Sequence, residues 1–328
     1  MANNQLAHLS KEYQFDITIN PATTYAGVQA LPYVSGAVKA MDSINYVRQI
    51  DGLNAKAVIS SVTTTDPITA AGCDFLDPGD TTLGERVLML ADMKVNREVC
   101  RKTIFPTWVG QGMNRNGNLP QDFSDFLLQV IAEKAAAQLE NLIWVGSAVF
   151  GAGFLSNDGV FDQAGLDASA CADYTQIQIN AAAATTNANI DDALASVFDS
   201  VVGTHPGLLD KAGFGFYMNN KMYGFYTQYL ANSANGQGIN ALGTNQDTQG
   251  FTYLGYPVYR CPGMPDDAIV ATYIDNMVYG SNLFTDQTEA SLIPTYLYDG
   301  SDNVRVVMNF SVGVQTAIGT DGVVGCRL

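Results

Sequence analysis

Two histidines, five cysteines and a few acidic pairs are the side chains through which this 328-residue chain could do chemistry. Nucleophilic hydrolysis usually takes its base from a histidine. His8 lies in a polar N-terminal stretch, and His205 sits in Gly203-Thr204-His205-Pro206-Gly207, which has the composition of a turn. A turn or interface role suits His205 better than a place in a triad. No glycine is followed by lysine, so no GxxxxGK[ST] phosphate loop exists. Neither Gly146, Gly151 and Gly153 nor Gly110, Gly112 and Gly117 have dinucleotide-fingerprint spacing. The pairs Asp191-Asp192 and Asp266-Asp267 lack calcium-loop spacing and neighbouring histidines; the first fits a helix start and the second a turn. Cys73, Cys100, Cys171, Cys261 and Cys326 are odd in number, scattered and without a CxxC pair, which argues against a disulfide framework or a zinc site and for buried free thiols. The expectation is a protein that is not an enzyme, with no catalytic, cofactor-binding or metal residues.

Composition points elsewhere. The chain is 47% apolar, which excludes a disordered or fibrous protein, yet only 15% charged, against about 25% in ordinary soluble domains. A subunit that hides much of its surface against neighbours would need few charges. The net charge of −16 excludes a broad grip on nucleic-acid phosphates. Residues 1–102 are almost balanced, so nearly all the excess of acid lies beyond them. The start lacks a basic region followed by an apolar core, and the longest nearly apolar run, Asn141 to Leu155, is too short to span a bilayer. The expectation is a soluble chain without a signal peptide or membrane contact.

The elements that must carry these residues begin after a polar stretch, 1–30, read as an extended arm. A short helix is expected over Leu31 to Ile50, and a strand over Ala55 to Val62. The turn-rich stretch Gly72 to Gly84 follows, and a second long strand runs through Leu83, Val87, Met89, Ala91, Met93 and Val95. Two strands around a turn-rich tip make a long hairpin, which is marginal in water unless it lies on something else. The clearest helix runs from Pro120 to Val145, with Asp122 or Ser124 as cap. Its apolar stripe comprises Phe123, Phe126, Leu127, Val130, Ile131, Ala135, Leu139, Leu142 and Ile143, and Gly146 ends it. Helices are also expected over Ile190 to Val202, with Asn189 and Asp192 in a near capping box, and over Lys221 to Leu230, capped by Asn219 or Asn220, after a strand at Phe214 to Met218. Residues 232–250 read as a polar loop. Strands follow near Phe251–Arg260, Ala268–Ile274 and Leu292–Tyr298, and the last strand alternates Val304, Val306, Met308, Phe310, Val312 and Val314 with mostly polar positions.

Several segments carry a resemblance in their order and spacing. They are Met89 to Asn96 running into Glu98-Val99-Cys100; Gln138 to Gly146 with Asn157-Asp158-Gly159-Val160; Tyr253 to Val258 with Met264-Pro265; Met277-Val278-Tyr279-Gly280; and the strand from Val304 to Ala317. Together they resemble the major capsid proteins of tailed double-stranded-DNA bacteriophages, the Hong Kong 97-type capsid fold that encapsulins share. The resemblance implies an α+β chain in four parts: an N-terminal arm over 1–48, an extended β-hairpin loop over 49–97, a peripheral domain over 98–185 and 296–328 built on a spine helix at 120–145, and an axial domain over 186–295.

It further implies self-assembly into hexamers and pentamers of an icosahedral virion head, put together in the bacterial host cytoplasm. The head would have a portal protein at one vertex and enclose DNA without sequence-specific binding. With little chain ahead of the arm, scaffolding would come from a separate protein, or assembly would proceed without one, and a decoration protein could be added outside. Arg86, Lys94, Arg97, Arg101 and Lys102, the densest basic group, would make inter-subunit contacts at the base of the loop, unless they form only a solvated strand face. Two other functions remain open at this point: an encapsulin-like compartment shell, and a secreted β-rich binding or hydrolytic protein.

Overall fold

The computed structural model describes residues 24–26, 41–64, 68, 79–100, 121–147, 150–155, 174–180, 184–232, 251–282, 289–295, 300–301 and 303–326, leaving aside the side chains of 24–26, 121–126 and Glu289. One long strand organises the first of two large sheets. This is β13 (Asn303–Thr316), whose alternating apolar residues are all buried. It pairs antiparallel with β5 (Ala91–Cys100), β11 (Met277–Ser281) and β12 (Glu289–Pro294). β1 (Thr24–Ala26) adds to β12, and β2 (Arg48–Asp51) adds parallel to β11. The second sheet runs in the order β6 (Thr175–Gln178), β14 (Val323–Cys326), β10 (Ala268–Tyr273), β7 (Phe214–Met218), β9 (Tyr256–Arg260) and β8 (Thr252–Tyr253). β3 (Lys56–Thr64) and β4 (Thr81–Met89) form a separate two-stranded hairpin. Both large sheets mix parallel and antiparallel pairs.

A 25-residue helix, α1 (Gln121–Val145), lies between the sheets. At 1.5 Å per residue it is about 37 Å long. Gly146 ends it with φ +73°, a conformation glycine adopts freely, and the Gly146 amide closes the last turn on the Leu142 carbonyl at 2.7 Å. The even-numbered residues of β13 and one face of the second sheet (Tyr217, Val270, Val324) share its core. The other face of that sheet holds a second core with α2 (Ile190–Thr204) and α3 (Asn220–Asn232). Because β7 is covered on both faces, Phe214 to Met218 is buried throughout and shows no alternation.

The buried face of α1 is wider than the expected stripe. Leu128, Ala132, Ala136 and Trp144 join it, while Val130 is 38% exposed and Leu142 only half-buried. Ala132 and Ala136 belong to the core shared with both sheets, and spacing alone does not say which alanine is covered. Phe123 and Phe126 lie outside the described side chains.

Other expectations need correction. The chain before Ile50 is not helical to its end: a 3-10 turn at Ser43–Tyr46 gives way to β2, whose polar residues are held by pairing with β11. The second long strand is two strands parted at Leu90, with β5 leaving the hairpin to pair with β13. Phe251 to Arg260 is a tight hairpin, turning at Leu254 (φ +48°) and Gly255 (φ +90°). The strand expected at Leu292–Tyr298 starts earlier, at Glu289, and ends at Pro294. The capping box of α2 does not form: the Asn189 carboxamide accepts from the Thr186 amide at 2.6 Å instead of from the helix.

Asn219 does cap α3, its Oδ1 accepting from the Met222 amide at 2.8 Å while its Nδ2 donates to Asp266. Asn219→Ala should cost about 1–2 kcal/mol, the worth of an N-cap with one further bond. Chemical denaturation checks this, and an unchanged midpoint would show the cap to be dispensable.

Candidate assembly surface

β3 and β4 pair residue for residue, from Lys56 opposite Met89 to Thr64 opposite Thr81. Side chains on such a ladder alternate between faces, so Val58 stands beside Val87 and Val62 beside Leu83, all on the face that also carries Met89. These five are 44% to 71% exposed. Ser60 and Glu85 separate the two apolar pairs. A two-stranded sheet is marginal in water, and one with valine and leucine pairs this exposed offers an apolar face that no described residue covers.

The base of the hairpin is fixed to the body at two glycines. Gly280 of β11 and Gly313 of β13 are register partners, which leaves a gap in the side-chain layer of the first sheet. Leu88, the fully buried residue of β4, fills the gap at Gly280: a Cβ there would come within 2.7 Å of its Cδ2. The Met89 carbonyl fills it at Gly313, 2.1 Å from where a Cβ would stand. The Leu90 amide donates to the Ala55 carbonyl at 3.0 Å and the Leu53 amide to the Ser281 carbonyl at 3.1 Å. The hairpin is thus held at its base, and no described residue covers its apolar face.

Of the basic residues singled out in the sequence, the three described, Arg86, Lys94 and Arg97, do not share one face. Arg86, on the hairpin face opposite the apolar pairs, donates to the Thr316 carbonyl at 3.3 Å and so braces the hairpin against the end of β13. Lys94 and Arg97 are both exposed but, three residues apart on β5, point to opposite faces. Arg97 borders a cleft of about 320 Å³ with Asn96, Glu98, Arg305, Val306 and Val307. Arg305 donates to Glu98 at 3.1 Å there. It was missed in the sequence because only the β5–β13 register brings it next to residue 98. Arg101 and Lys102 lie outside the described residues.

The remaining candidates for chemistry have structural partners. His205 terminates α2, and its Nε2 lies 2.9 Å from the Thr175 hydroxyl. Asp191 and Asp192 occupy the first turn of α2, and Asp191 accepts from the Tyr229 hydroxyl at 2.9 Å. Asp266 accepts from Lys221 at 2.8 Å, and Asp267 accepts from the Thr185 amide at 3.0 Å. Among the described residues no group of three or more potential metal ligands occurs, and no helix is long and apolar enough to cross a membrane. Cys261 and Cys326 are buried free thiols as expected, whereas Cys100 is exposed at the end of β5. Cys73, Cys171, His8 and residues 233–250 fall outside the described residues, while Asn232, expected in the loop, is the last residue of α3.

No protein-family model matches the sequence, and no curated protein does. Solved structures match over nearly the whole chain. The capsid of a native GTA particle superposes with a TM-score of 0.59 at 15% identity, over 88% of this chain and 90% of that one. A structure from Gordonia phage Cozz gives 0.53 at 14% identity, over 88% and 87%. The procapsid of satellite phage P4 with its size determination protein gives 0.51 at 11% identity, over 89% and 97%. The chain therefore has a phage-capsid fold, mixed α/β, with two large sheets, a separate hairpin and few helices among the described residues.

Proposed function

We propose that this chain is the major shell subunit of an icosahedral particle, assembling as hexamers and pentamers into a head that encloses double-stranded DNA. The observation that carries the reading is the hairpin β3–β4, which among the described residues is anchored to its own body at the base and carries exposed apolar pairs along one face. Shell subunits bury large areas on several sides, in keeping with a charged content of only 15%. A net charge of −16 suits a container that must not adhere to the phosphates inside it. The fold speaks for a structural part and not a catalytic one.

In this reading 1–48 is the arm, 49–97 the extended loop, 98–185 with 296–328 the peripheral domain on helix α1, and 186–295 the axial domain. Lys94 and Arg97 face neighbours, as do Arg101 and Lys102, while Arg86 is engaged within its own chain. A portal protein, separate scaffolding and a decoration protein are the further partners, and the virion is the place of the finished shell.

Purified particles examined by light scattering and electron microscopy test this directly. Closed shells containing nucleic acid are expected. Monomers or dimers at micromolar concentration, in the presence of any required scaffold, would overturn the shell. Closed shells filled with a protein cargo would replace the phage head by an encapsulin-like compartment.

A further inference from the structure

The segment 41–47 is clamped between α1 and the second sheet, and the clamp has one polar jaw. Met41, Ile44 and Val47 are buried, the Tyr46 ring stacks on Tyr259 at 4.6 Å, and the Tyr46 carbonyl accepts from the Tyr217 hydroxyl at 3.1 Å. At the centre, Ser43 is fully buried against Glu140 of α1, which is itself only 5% exposed. The Ser43 hydroxyl donates to Glu140 Oε1 and accepts from Trp144 Nε1 at 3.0 Å; the Ser43 amide also donates to Oε1, at 3.3 Å. Glu140 Oε2 is buried without a hydrogen-bond partner. A carboxylate would leave charge on that bare oxygen, whereas a carboxylic acid places its proton there and keeps Oε1 as the acceptor for Ser43.

We propose that Glu140 is a pH-operated latch on segment 41–47, holding it as the neutral acid and releasing it on ionisation. The inference concerns the single chain and stands whether or not the chain forms a shell. Burial raises the Glu140 pKa from its ordinary value, and the nearby charge of Asp42 adds to the rise; the bonds from Ser43 and the proximity of the Gly263 backbone oppose it. Among the described residues, the groups facing the carboxyl offer it no compensating cation. Asp42, on the segment itself, is paired with Arg260 of β9 at 3.2 Å, both about half exposed. Cys261, just beyond β9, has its thiol pushed up by burial and stays neutral, as do the hydroxyls of Tyr46, Tyr217 and Tyr259. With its folded pKa raised, Glu140 stabilises the closed segment fully below the ordinary carboxylate pKa. That contribution is lost as pH climbs to the raised value.

Hydrogen–deuterium exchange of the full chain, corrected for intrinsic rates, reads the latch. Protection of 41–47 should fall by up to about tenfold per pH unit above about pH 4.5, level off above the raised pKa, and leave β10 unaffected. Glu140→Gln should flatten the profile, since a carboxamide cannot ionise. Should that variant fail to fold, Ser43→Ala gives the decision: it removes a bond that holds the pKa down, so the fall should extend to higher pH. Flat protection in the unaltered chain from about pH 4 to about pH 9, an unchanged fall in Glu140→Gln, or a fall moved to lower pH in Ser43→Ala would each overturn the latch.

Discussion

A chain carrying Val62→Lys together with Leu83→Glu should fold normally and fail to build particles. The two residues are cross-strand partners and each is 64% exposed, so the exchange removes little burial from the single chain. The new charges stand opposite one another and support the ladder, which should hold the change in stability within about 1 kcal/mol. In a shell the same face would lie on a neighbour. Charges buried there without partners on the other side cost about 2–5 kcal/mol per contact, and a closed shell repeats the contact at every hairpin. Size-exclusion chromatography with light scattering should show only unassembled chain, with an unchanged far-ultraviolet spectrum. The companion change on the opposite face, Thr63→Lys with Thr82→Glu, should still assemble. If the first variant formed normal particles, the apolar pairs would not be the contact face. Failure of both with intact folding would implicate the hairpin but not that face.

The same residues show how far periodicity can be read. Leu83, Val87 and Met89 share one face of the hairpin, and Ala91, Met93 and Val95 share one face of β5, as their spacing says within each strand. Yet the first three are exposed on the hairpin, while Ala91, Met93 and Val95 lie opposite Val312, Phe310 and Met308 on β13 and are half-buried. Alternation tells which side chains stand together; it carries no mark of where the face passes from solvent to core. The break at Leu90 depends on β13, more than two hundred residues away in sequence.

Local signals served best where one residue's own chemistry decides. Gly146 ends α1 because its φ is positive, and Asn219 caps α3 through its own carboxamide. They failed where pairing decides. β2 reads as polar and takes strand form only beside β11; β6, β11 and β14 are short strands held by neighbours distant in the chain. The turn at Leu254 was hidden for another reason: leucine seldom takes a positive φ, and nothing in Tyr253-Leu254-Gly255-Tyr256 separates a hairpin from a straight strand. Of the assembly surface, a marginal long hairpin was legible. Its bare face, its anchoring glycines and the pairing of Glu98 with Arg305 required the register.

Gly313→Ala should detach the hairpin from the body. A single methyl at this position would stand 2.1 Å from the Met89 carbonyl oxygen and 3.0 Å from its carbon, so backbone and not a flexible side chain must move. The strand cannot shift alone, because β13 is paired with β5 through Val312 and Ala91 and with β11 through Gly280. What can move is the junction at Met89 and Leu90, and moving it pulls Leu88 from its site over Gly280 and Arg86 from the Thr316 carbonyl. Overpacking of this kind costs about 3 kcal/mol, and the lost burial of Leu88 adds about 2 kcal/mol. The chain should melt earlier and exchange amide protons faster over 56–64 and 81–90, with α1 and β7 still protected. Assembly should suffer beyond the loss of stability, since a hairpin free at its base no longer presents Val58, Val62, Leu83 and Val87 in a fixed direction. A variant with an unchanged melting temperature and normal particles would show that the first sheet yields at the glycine pair, and the rigid anchor would have to be abandoned.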